Sequence, residues 1–469
     1  MKRILTLLTC ITGALQGFSQ TQSAPPQAYN FSVQDAVNYA YEHQDSVKNA
    51  QLDVRSAEYK VKETTGIGLP QINGTASFQD YLQTPAVLFP SFTDGLYQIL
   101  NAEGVKGGDG KVIPLRTSPP QKLSIQQKYN ANVGATLSQI LFDGSYLVGL
   151  KASKTYKELS QRNLVRTRIE TNVNVTKAYY QVLVSNEQIR LLDANINQLK
   201  QQVDQTTAQN KQGFVEKIDV DRITVQYNNL LTTRENTLRL LVLNYQLLKF
   251  QMGMPIGNDL RLTDKLTDVM LDANADAAVA ADSSFYHRRI EYNLGETAVR
   301  LNQLDLKRKK AAYLPTLSFV AGTAATYQNN SFGQLFNTSY PSSYIGLNLT
   351  VPIFNGFQRR YQVKQSEVAV EKSINDLNNL KNGLGLQASQ ARVMYINGLQ
   401  TLNNQKQSQS LAQEVLRVSK IKYQQGVGSS IEVTQAQTAL EDADNKYIQG
   451  LYDALVSKVD LDKAYGRIQ

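Results

Sequence analysis

The chain has 469 residues, enough for two or three ordinary domains or for one large elongated one. Its 49 Lys and Arg outnumber its 40 Asp and Glu, which gives a formal net charge of +9. A basic balance can indicate a nucleic-acid partner, but the N-terminal segment described next argues against that class of partner. Catalysis is not expected either, because the sequence contains no nucleophile–base pair, phosphate loop or paired carboxylates at catalytic spacing.

The N-terminus has the composition of a secretory signal peptide. Lys2-Arg3 precedes an apolar run from Ile4 to Leu15, and small residues follow near Ser19. We predict that residues 1–19 are removed, which leaves a net charge of +7 and, since Cys10 is the one cysteine, a mature chain without cysteine. An exported bacterial protein fits both facts, and no nucleic-acid partner is expected.

The first half, residues 20–253, predicts a short helix that ends near Leu69-Pro70 and then two strands. The strands are 71–83 and 129–141, and an external loop over 84–128 joins them. A long helix over 144–211 and a returning helix over 217–252 follow. Residues 189–203 carry apolar positions that step by 3 and 4, as in a coiled-coil seam. At 1.5 Å per residue the long helix would span about 100 Å, so it is a strut or the wall of a tube.

The second half, residues 285–469, repeats this order after an inter-repeat segment over 254–284. It predicts a short helix to Leu314-Pro315, and then strands 316–328 and 343–354, a long helix 356–424 and a helix 430–466. Phe142-Asp143-Gly144 recurs as Phe354-Asn355-Gly356, 212 positions later, and Gln212-Gly213 recurs 213 positions later. The hairpin lengths are therefore fixed, whereas 33 extra residues of the first half fall in its external loop.

Three of the four predicted strands alternate apolar and polar residues with a period of two, and the fourth, 316–327, does so more loosely. Each run has about 9–12 residues, the length of a tilted strand that crosses a bilayer. A soluble sheet packed on a core gives the same alternation, but export and polar helices favour membrane strands. No apolar run after residue 19 approaches the ~20 residues of a membrane-spanning helix. Because an open sheet edge cannot sit in lipid, several chains would share one barrel, either two with eight strands or three with twelve.

Each predicted hairpin turn repeats one detail. Gly213 and Gly426 permit the turn, and Asp219 and Glu432 fall in the first turn of the returning helix. Negative charge suits the helix dipole there. We weigh that structural role about evenly against a functional one for both acids.

These motifs, in this order and spacing, resemble the TolC-like outer membrane efflux proteins over nearly the whole mature chain. The strand endings are ILFDG (140–144) and VPIFNG (351–356), and the turn motifs are QGFVEKIDV (212–220) and QGVGSSIEV (425–433). The resemblance implies a mixed α and β membrane protein, a homotrimer whose twelve strands form one barrel in outer membrane lipid. A coiled-coil helical barrel would continue it through the periplasm, with residues 254–284 at mid-tunnel.

The resemblance also assigns residues to functions. The hairpin turns of this family meet a periplasmic adaptor that links the tunnel to an inner-membrane pump. The candidate adaptor contacts are Gln212, Gly213, Phe214, Gln425, Gly426 and Val427. The candidate periplasmic gate is Glu432, Gln435 and Tyr423. Glu432 and Tyr423 match family residues, whereas Gln435 replaces a second acid and Gly428 replaces a basic latch residue.

The sequence therefore predicts a passive exit duct for a tripartite efflux or secretion system, powered by its partners. The alternative is a periplasm-spanning structural or adaptor protein without a pore. No cofactor or metal is expected, because His43 and His287 have no ligand partner at local spacing. The basic run Lys307-Arg308-Lys309-Lys310 is interpreted as a solvated helix face, with the tunnel or the inner leaflet as alternatives.

Overall fold

The computed structural model describes residues 28–89, 91–266 and 284–468. The predicted signal peptide and much of the inter-repeat segment lie outside the described residues. The chain divides into two compact units. We call residues up to 57 with 156–300 and 372–469 the helical unit, and residues 58–155 with 301–371 the strand unit.

The first half contains most of the short elements. In chain order they are β1 (Ala28–Phe31), α1 (Val33–His43), α2 (Asp45–Ile67), β2 (Gln71–Asp80), β3 (Ala86–Phe89), α3 (Phe92–Ala102), β4 (Gln121–Ser124), β5 (Tyr129–Phe142), α4 (Gly144–Lys211), α5 (Lys217–Met252) and β6 (Asp259–Leu262). The predicted external loop thus holds a small hairpin, β3 with β4, and the helix α3. Strand β1 pairs in parallel with β6.

The second half is simpler. A 3₁₀ turn at Phe285–Arg288 leads into α6 (Ile290–Ala311), β7 (Thr316–Asn329), a 3₁₀ turn at Phe332–Gln334, β8 (Ser339–Thr350), α7 (Gln358–Gln424) and α8 (Ser430–Ala464). None of the helices in the described ranges combines the length and apolar character that crossing a membrane requires.

Strand β8 differs from the predicted strand 343–354, since it begins and ends four residues earlier. Its partner β7 begins at Thr316, directly after Pro315, and Thr316 pairs with Thr350. Pro315 precedes β7 and Pro352 follows β8, so both lie just beyond that pair. Since proline has no N–H to donate, the ladder does not continue past it. The apolar alternation through Ile353 therefore outruns the strand. Strand β2 likewise stops at Asp80 rather than 83, opposite the first residue of β5.

The two strand-to-helix junctions were predicted to be alike and are not. The Asp143 carboxylate accepts hydrogen bonds from the N–H groups of Ser145 (2.7 Å) and Tyr146 (3.1 Å) and caps α4. At the equivalent Asn355 the backbone carbonyl accepts, from Gln358 N at 3.2 Å. Gly356 and Phe357 both have φ of +62°, in the left-handed region, so α7 begins at Gln358 rather than 356.

Four antiparallel strands form one sheet in the order β2-β5-β7-β8. Its register aligns the apolar rows on one face, as in the set of neighbours Ile72, Leu137, Ala321 and Ile345. The opposite face is more polar, as in the set Asn73, Thr136, Gly322 and Tyr344. Two hydroxyls on the apolar face, Thr323 Oγ1 and Ser343 Oγ, bond to each other at 2.9 Å.

The apolar face of this sheet is largely uncovered. Ile345 is 81% exposed, Ile72 71% and Leu347 67%, whereas at the loop end Phe332 packs against Phe78 and Tyr129. Among the described strands, β2 pairs with β5 alone and β8 with β7 alone. The sheet therefore has an exposed apolar face and two edges whose outward N–H and C=O groups lack strand partners.

The helical unit has several apolar clusters. One joins α1, α4, α5 and β6, one joins α4 to α7 and α8, and two lie within single hairpins near the tips. Leu192, Ile196 and Leu199 of α4 are buried against Ile223 and Leu230 of α5. An equivalent cluster joins α7 to α8 through Leu416, Val433, Ala436 and Leu440. The apolar 3–4 spacing on α4 thus faces the returning helix of its own hairpin.

A substitution at Gly253 tests the end of α5. Gly253 has φ of +70°, and a Cβ there would lie 2.6 Å from the His43 carbonyl oxygen and 2.7 Å from Gln44 Cα. Gly213 has φ of +78° but open space around it. Gly213→Ala should therefore cost about 1–2 kcal/mol for the left-handed backbone alone, and Gly253→Ala more. We expect the lower thermal unfolding midpoint for Gly253→Ala; equal midpoints would contradict the packing described.

Candidate functional site at the helical hairpin tips

Two tight turns end the long hairpins of the helical unit. The first tip, residues 212–216, joins α4 to α5, and the second tip, residues 425–429, joins α7 to α8. Gly213 and Gly426 have φ of +78° and +74°, which lets the chain reverse within a few residues.

The first tip is closed by backbone and side-chain bonds. Phe214 N donates to Gln209 O at 3.0 Å, and Gly213 N donates to Asn210 O at 2.9 Å. The Asn210 side-chain amide donates to Val215 O at 2.7 Å. The two backbone bonds satisfy carbonyl groups at the end of α4 that the helix itself leaves free, and the Asn210 side chain closes the turn.

The second tip is tighter. The Lys422 carbonyl oxygen accepts from both Val427 N (3.0 Å) and Gly428 N (3.2 Å). A Cβ on Gly428 would lie 2.9 Å from Lys422 Cβ and 3.1 Å from Tyr423 N. The position where the family resemblance places a basic latch residue is thus packed against the end of α7, which disfavours any side chain there.

The six predicted adaptor contacts lie on the exposed surface of the two tips. Phe214 is 80% exposed and Val427 76%. Gln212, Gly213, Gln425 and Gly426 are exposed beside them. One large apolar side chain is therefore exposed at the end of each hairpin.

A polar network joins the two hairpins just behind the tips. Ser430 Oγ donates to the Asp219 carboxylate, and Arg222 Nη1 donates to the same carboxylate at 3.2 Å. Arg222 Nη1 also lies 3.4 Å from Ser430 Oγ. Two turns further along, Gln226 Nε2 donates to Thr438 Oγ1 at 3.2 Å. Helices α5 and α8 are therefore connected by hydrogen bonds. Asp219 lies in the first turn of α5, and it also accepts a hydrogen bond from the second hairpin.

Tyr423 lies inside this packing. It is half-buried against the cluster that joins α7 to α8. Burial raises the pKa of Tyr423, the Asp219 carboxylate acts in the same direction, and Thr206 on α4 opposes them. The buried Tyr423 hydroxyl lacks a hydrogen bond of standard geometry among the described residues, so Thr206 is a neighbour rather than a fixed partner.

Glu432 and Gln435 lie on the outside of α8, one turn apart, and both are exposed. Glu432 N donates to Ser429 Oγ at 3.2 Å, in the first turn of the helix. No hydrogen bond or ion pair in the described part of the chain joins Tyr423 to either residue. The three predicted gate residues therefore occupy two places, one inside the helix packing and one on its surface.

Sequence reasoning missed Arg222 and Ser430 in the network. Arg222 follows Asp219 by three residues, which could have indicated an ion pair within α5. Ser430 is the first residue of α8 and lies 211 residues from Asp219 in the sequence. Its contact depends on the adjacency of α5 and α8, which periodicity does not reveal.

A second polar node lies deeper in the helical unit. The Asp444 carboxylate is 7% exposed and accepts from Asn195 Nδ2 of α4 and from Gln409 Nε2 of α7, both at 2.8 Å. Three helices thus meet on one buried carboxylate. Charge-assisted bonds of this kind are strong, and losing one partner leaves the other buried and unsatisfied.

A family model described as outer membrane efflux protein matches residues 36–241 and 295–467. The chain belongs to this family. TolC of Vibrio cholerae is 24% identical over 349 residues, which cover 72% of this chain and 77% of TolC. The toluene efflux pump outer membrane protein TtgC of Pseudomonas putida is 22% identical over 379 residues, or 79% of this chain and 75% of TtgC.

The fold is also that of a solved outer membrane channel. The crystal structure of CusC superposes with a TM-score of 0.72 at 17% identity and covers 96% of both chains. The family and its named members give this chain an outer membrane location that extends into the periplasm. The first matched range includes the first hairpin tip, and the second matched range includes the second tip.

Lys420 provides a test of the packing behind the second tip. It lies one turn before Tyr423, and burial lowers the pKa of Lys420 to about 8. Between pH 8 and about 10 the unfolded chain keeps a proton that the folded chain has released, so stability should rise with pH in that window. Lys420→Met should remove this rise and be more stable than the wild type at pH 7.

The measurement is the unfolding midpoint at pH 7 and at pH 10, with Lys422→Met as the control because Lys422 is exposed. If Lys420→Met and Lys422→Met behave alike, Lys420 is hydrated and the packing described for this turn of α7 is incorrect.

Proposed function

We propose that the protein is the outer membrane exit duct of a tripartite efflux or secretion system, in which three copies share one barrel of twelve strands. The observation that carries the proposal is the sheet with one exposed apolar face and two unpaired edges. Family membership supports the same reading.

The edges decide how many chains are needed. In hydrocarbon every backbone N–H and C=O must have a partner, so β2 and β8 must each pair with another strand. Four strands are too few to close a barrel on themselves. Edge-to-edge pairing of β8 with β2 of the next copy satisfies both edges, and three copies give the barrel that the family resemblance implies.

The long hairpins would continue the duct through the periplasm. Near the tips their cores lie between the two helices of each hairpin, and many of their outer side chains are polar and exposed, which suits the wall of a water-filled tube. Transport through the duct would be powered by an inner-membrane pump. An adaptor would bind the tips, with Phe214 and Val427 as its apolar contacts and the four tip residues Gln212, Gly213, Gln425 and Gly426 around them.

The periplasmic entrance would be formed by the second hairpin. Three copies of the exposed Glu432 would make an acidic ring, in which the neutral Gln435 leaves a single acid per copy. The bonds from Ser430 to Asp219 and from Arg222 to Ser430, together with Tyr423, would hold the second hairpin against the first. With glycine at position 428, these bonds take the place of a basic latch.

The alternative function, a structural or adaptor protein without a pore, is less well supported. An adaptor that only bridges partners has no need for an apolar sheet face of bilayer length. The strands β5 and β7 each have 14 residues and carry that face across the sheet.

Planar-bilayer conductance tests the proposal. The purified protein should form stable channels, and Glu432→Gln should reduce cation selectivity and block by a trivalent cation, because the acidic ring loses its charge. Asp442→Asn, an exposed acid further along α8, is the matched control and should behave like the wild type. Absence of channels would reject the duct, whereas channels with unchanged Glu432→Gln selectivity would remove Glu432 from the entrance.

A further inference from the structure

The strand unit carries a concentration of positive charge where its helices meet the sheet. The segments concerned are 58–70, 143–155, 301–315 and 351–371. They contain eleven Lys and Arg against six Asp and Glu, so these 62 residues hold a net charge of +5 where the whole chain holds +9. The loops at the opposite end of the sheet, 81–128 and 330–338, hold five basic and three acidic residues.

All four junctions lie at the same end of the sheet. The register pairs Gln71 with Ser138, Ile140 with Ser318, and Thr316 with Thr350. The end of α2, the start of α4, the end of α6 and the start of α7 therefore emerge side by side. Their charges belong to one surface rather than to four unrelated places.

Exposed apolar side chains lie at the junctions, between the strand ends and the basic residues of the helices. Ile353 is 94% exposed and Phe354 76%, and Leu69, Leu314 and Phe357 are also exposed. They lie within a few residues of the strand ends. Exposed aliphatic and aromatic groups at the end of a membrane strand are typical of the bilayer interface.

The cations follow about one to three helical turns beyond this apolar layer. Lys307–Lys310 lie 5 to 8 residues before Pro315, or roughly 7–12 Å along the helix at 1.5 Å per residue. That distance is comparable to the headgroup layer outside the hydrocarbon core of a bilayer. Long basic side chains can also reach toward phosphate groups from slightly deeper positions.

Most of these cations are not neutralised by the chain itself. Lys60 pairs with Glu63, Arg308 pairs with Asp305, and Lys310 and Lys364 share Glu367. In the described residues no ion pair involves Lys62, Lys151, Lys154, Lys307, Lys309, Arg359 or Arg360. We call these seven residues the basic collar.

We propose that the basic collar binds the anionic headgroups of phospholipids in the periplasmic leaflet of the outer membrane. The proposal rests on the proposed function, since it requires the sheet to span that membrane. Juxtamembrane Lys and Arg each contribute about 1 kcal/mol of attraction to an anionic surface. The collar would therefore fix the depth of the strand–helix junctions and favour acidic over zwitterionic lipid.

The test compares lipid binding by the full-length protein and two matched triple variants. One variant removes three collar charges, Lys307→Gln, Lys309→Gln and Arg360→Gln. The control removes three exposed charges of the helical unit, Lys200→Gln, Lys406→Gln and Lys446→Gln. Binding of phosphatidylglycerol and of phosphatidylethanolamine to each detergent-purified protein is measured by native mass spectrometry at several salt concentrations.

We expect the wild type and the control to prefer phosphatidylglycerol, with a preference that weakens as salt rises. The collar variant should lose at least about tenfold of that preference. Equal preference in all three proteins, or an equal loss in the control, would reject the collar and return these residues to a solvated helix face. A wild type that conducts in planar bilayers but shows no lipid preference rejects this proposal alone, whereas one that forms no channels rejects the proposed function.

Discussion

The unpaired edges of the four-stranded sheet constrain everything else proposed for this protein. In water, an exposed apolar face with two free edges favours uncontrolled association. In lipid, the face is satisfied but each unpaired backbone group costs several kcal/mol. Pairing β8 of one copy with β2 of the next inside a bilayer removes both problems together. Membrane insertion and assembly are then one event, and the register that aligns Ile72 with Ile345 on one face is what couples them.

The helical unit is stabilised in another way. Near the tips apolar clusters join the two helices of each hairpin. Between the hairpins an apolar cluster of Val184 with Leu402, Ile448 and Leu455 is accompanied by polar contacts. Asp444 holds three helices through two amides, and Asp219 ties the first hairpin to the second through Ser430. Hydrogen-bonded contacts of this kind specify one arrangement, yet they can exchange partners with water more readily than an apolar core.

Local sequence signals identified the elements whose ends are set locally. Helices α4 and α5 have the bounds that Gly144, Gly213 and Gly253 indicate. The prediction for β8 was wrong because a strand ends where its partner ends, and Pro315 fixes that end from across the sheet. Likewise, Ser430 could not be linked to Asp219 without knowing which helices are neighbours. The similarity of Asn355 to Asp143 led to a wrong start for α7. Phe357 adopts a left-handed backbone, which the sequence does not predict for a phenylalanine.

Disulfide cross-linking between sheet edges tests the central claim most directly. The one cysteine, Cys10, lies in the predicted signal peptide, so introduced pairs have no competitor in the mature chain. Thr75→Cys in β2 would be combined in turn with Ser342→Cys, Tyr344→Cys or Asn348→Cys in β8, which share the more polar face. After oxidation in membranes, the account predicts a covalent species of three chains for at least one combination and none for the single variants. Monomers in every combination would contradict it.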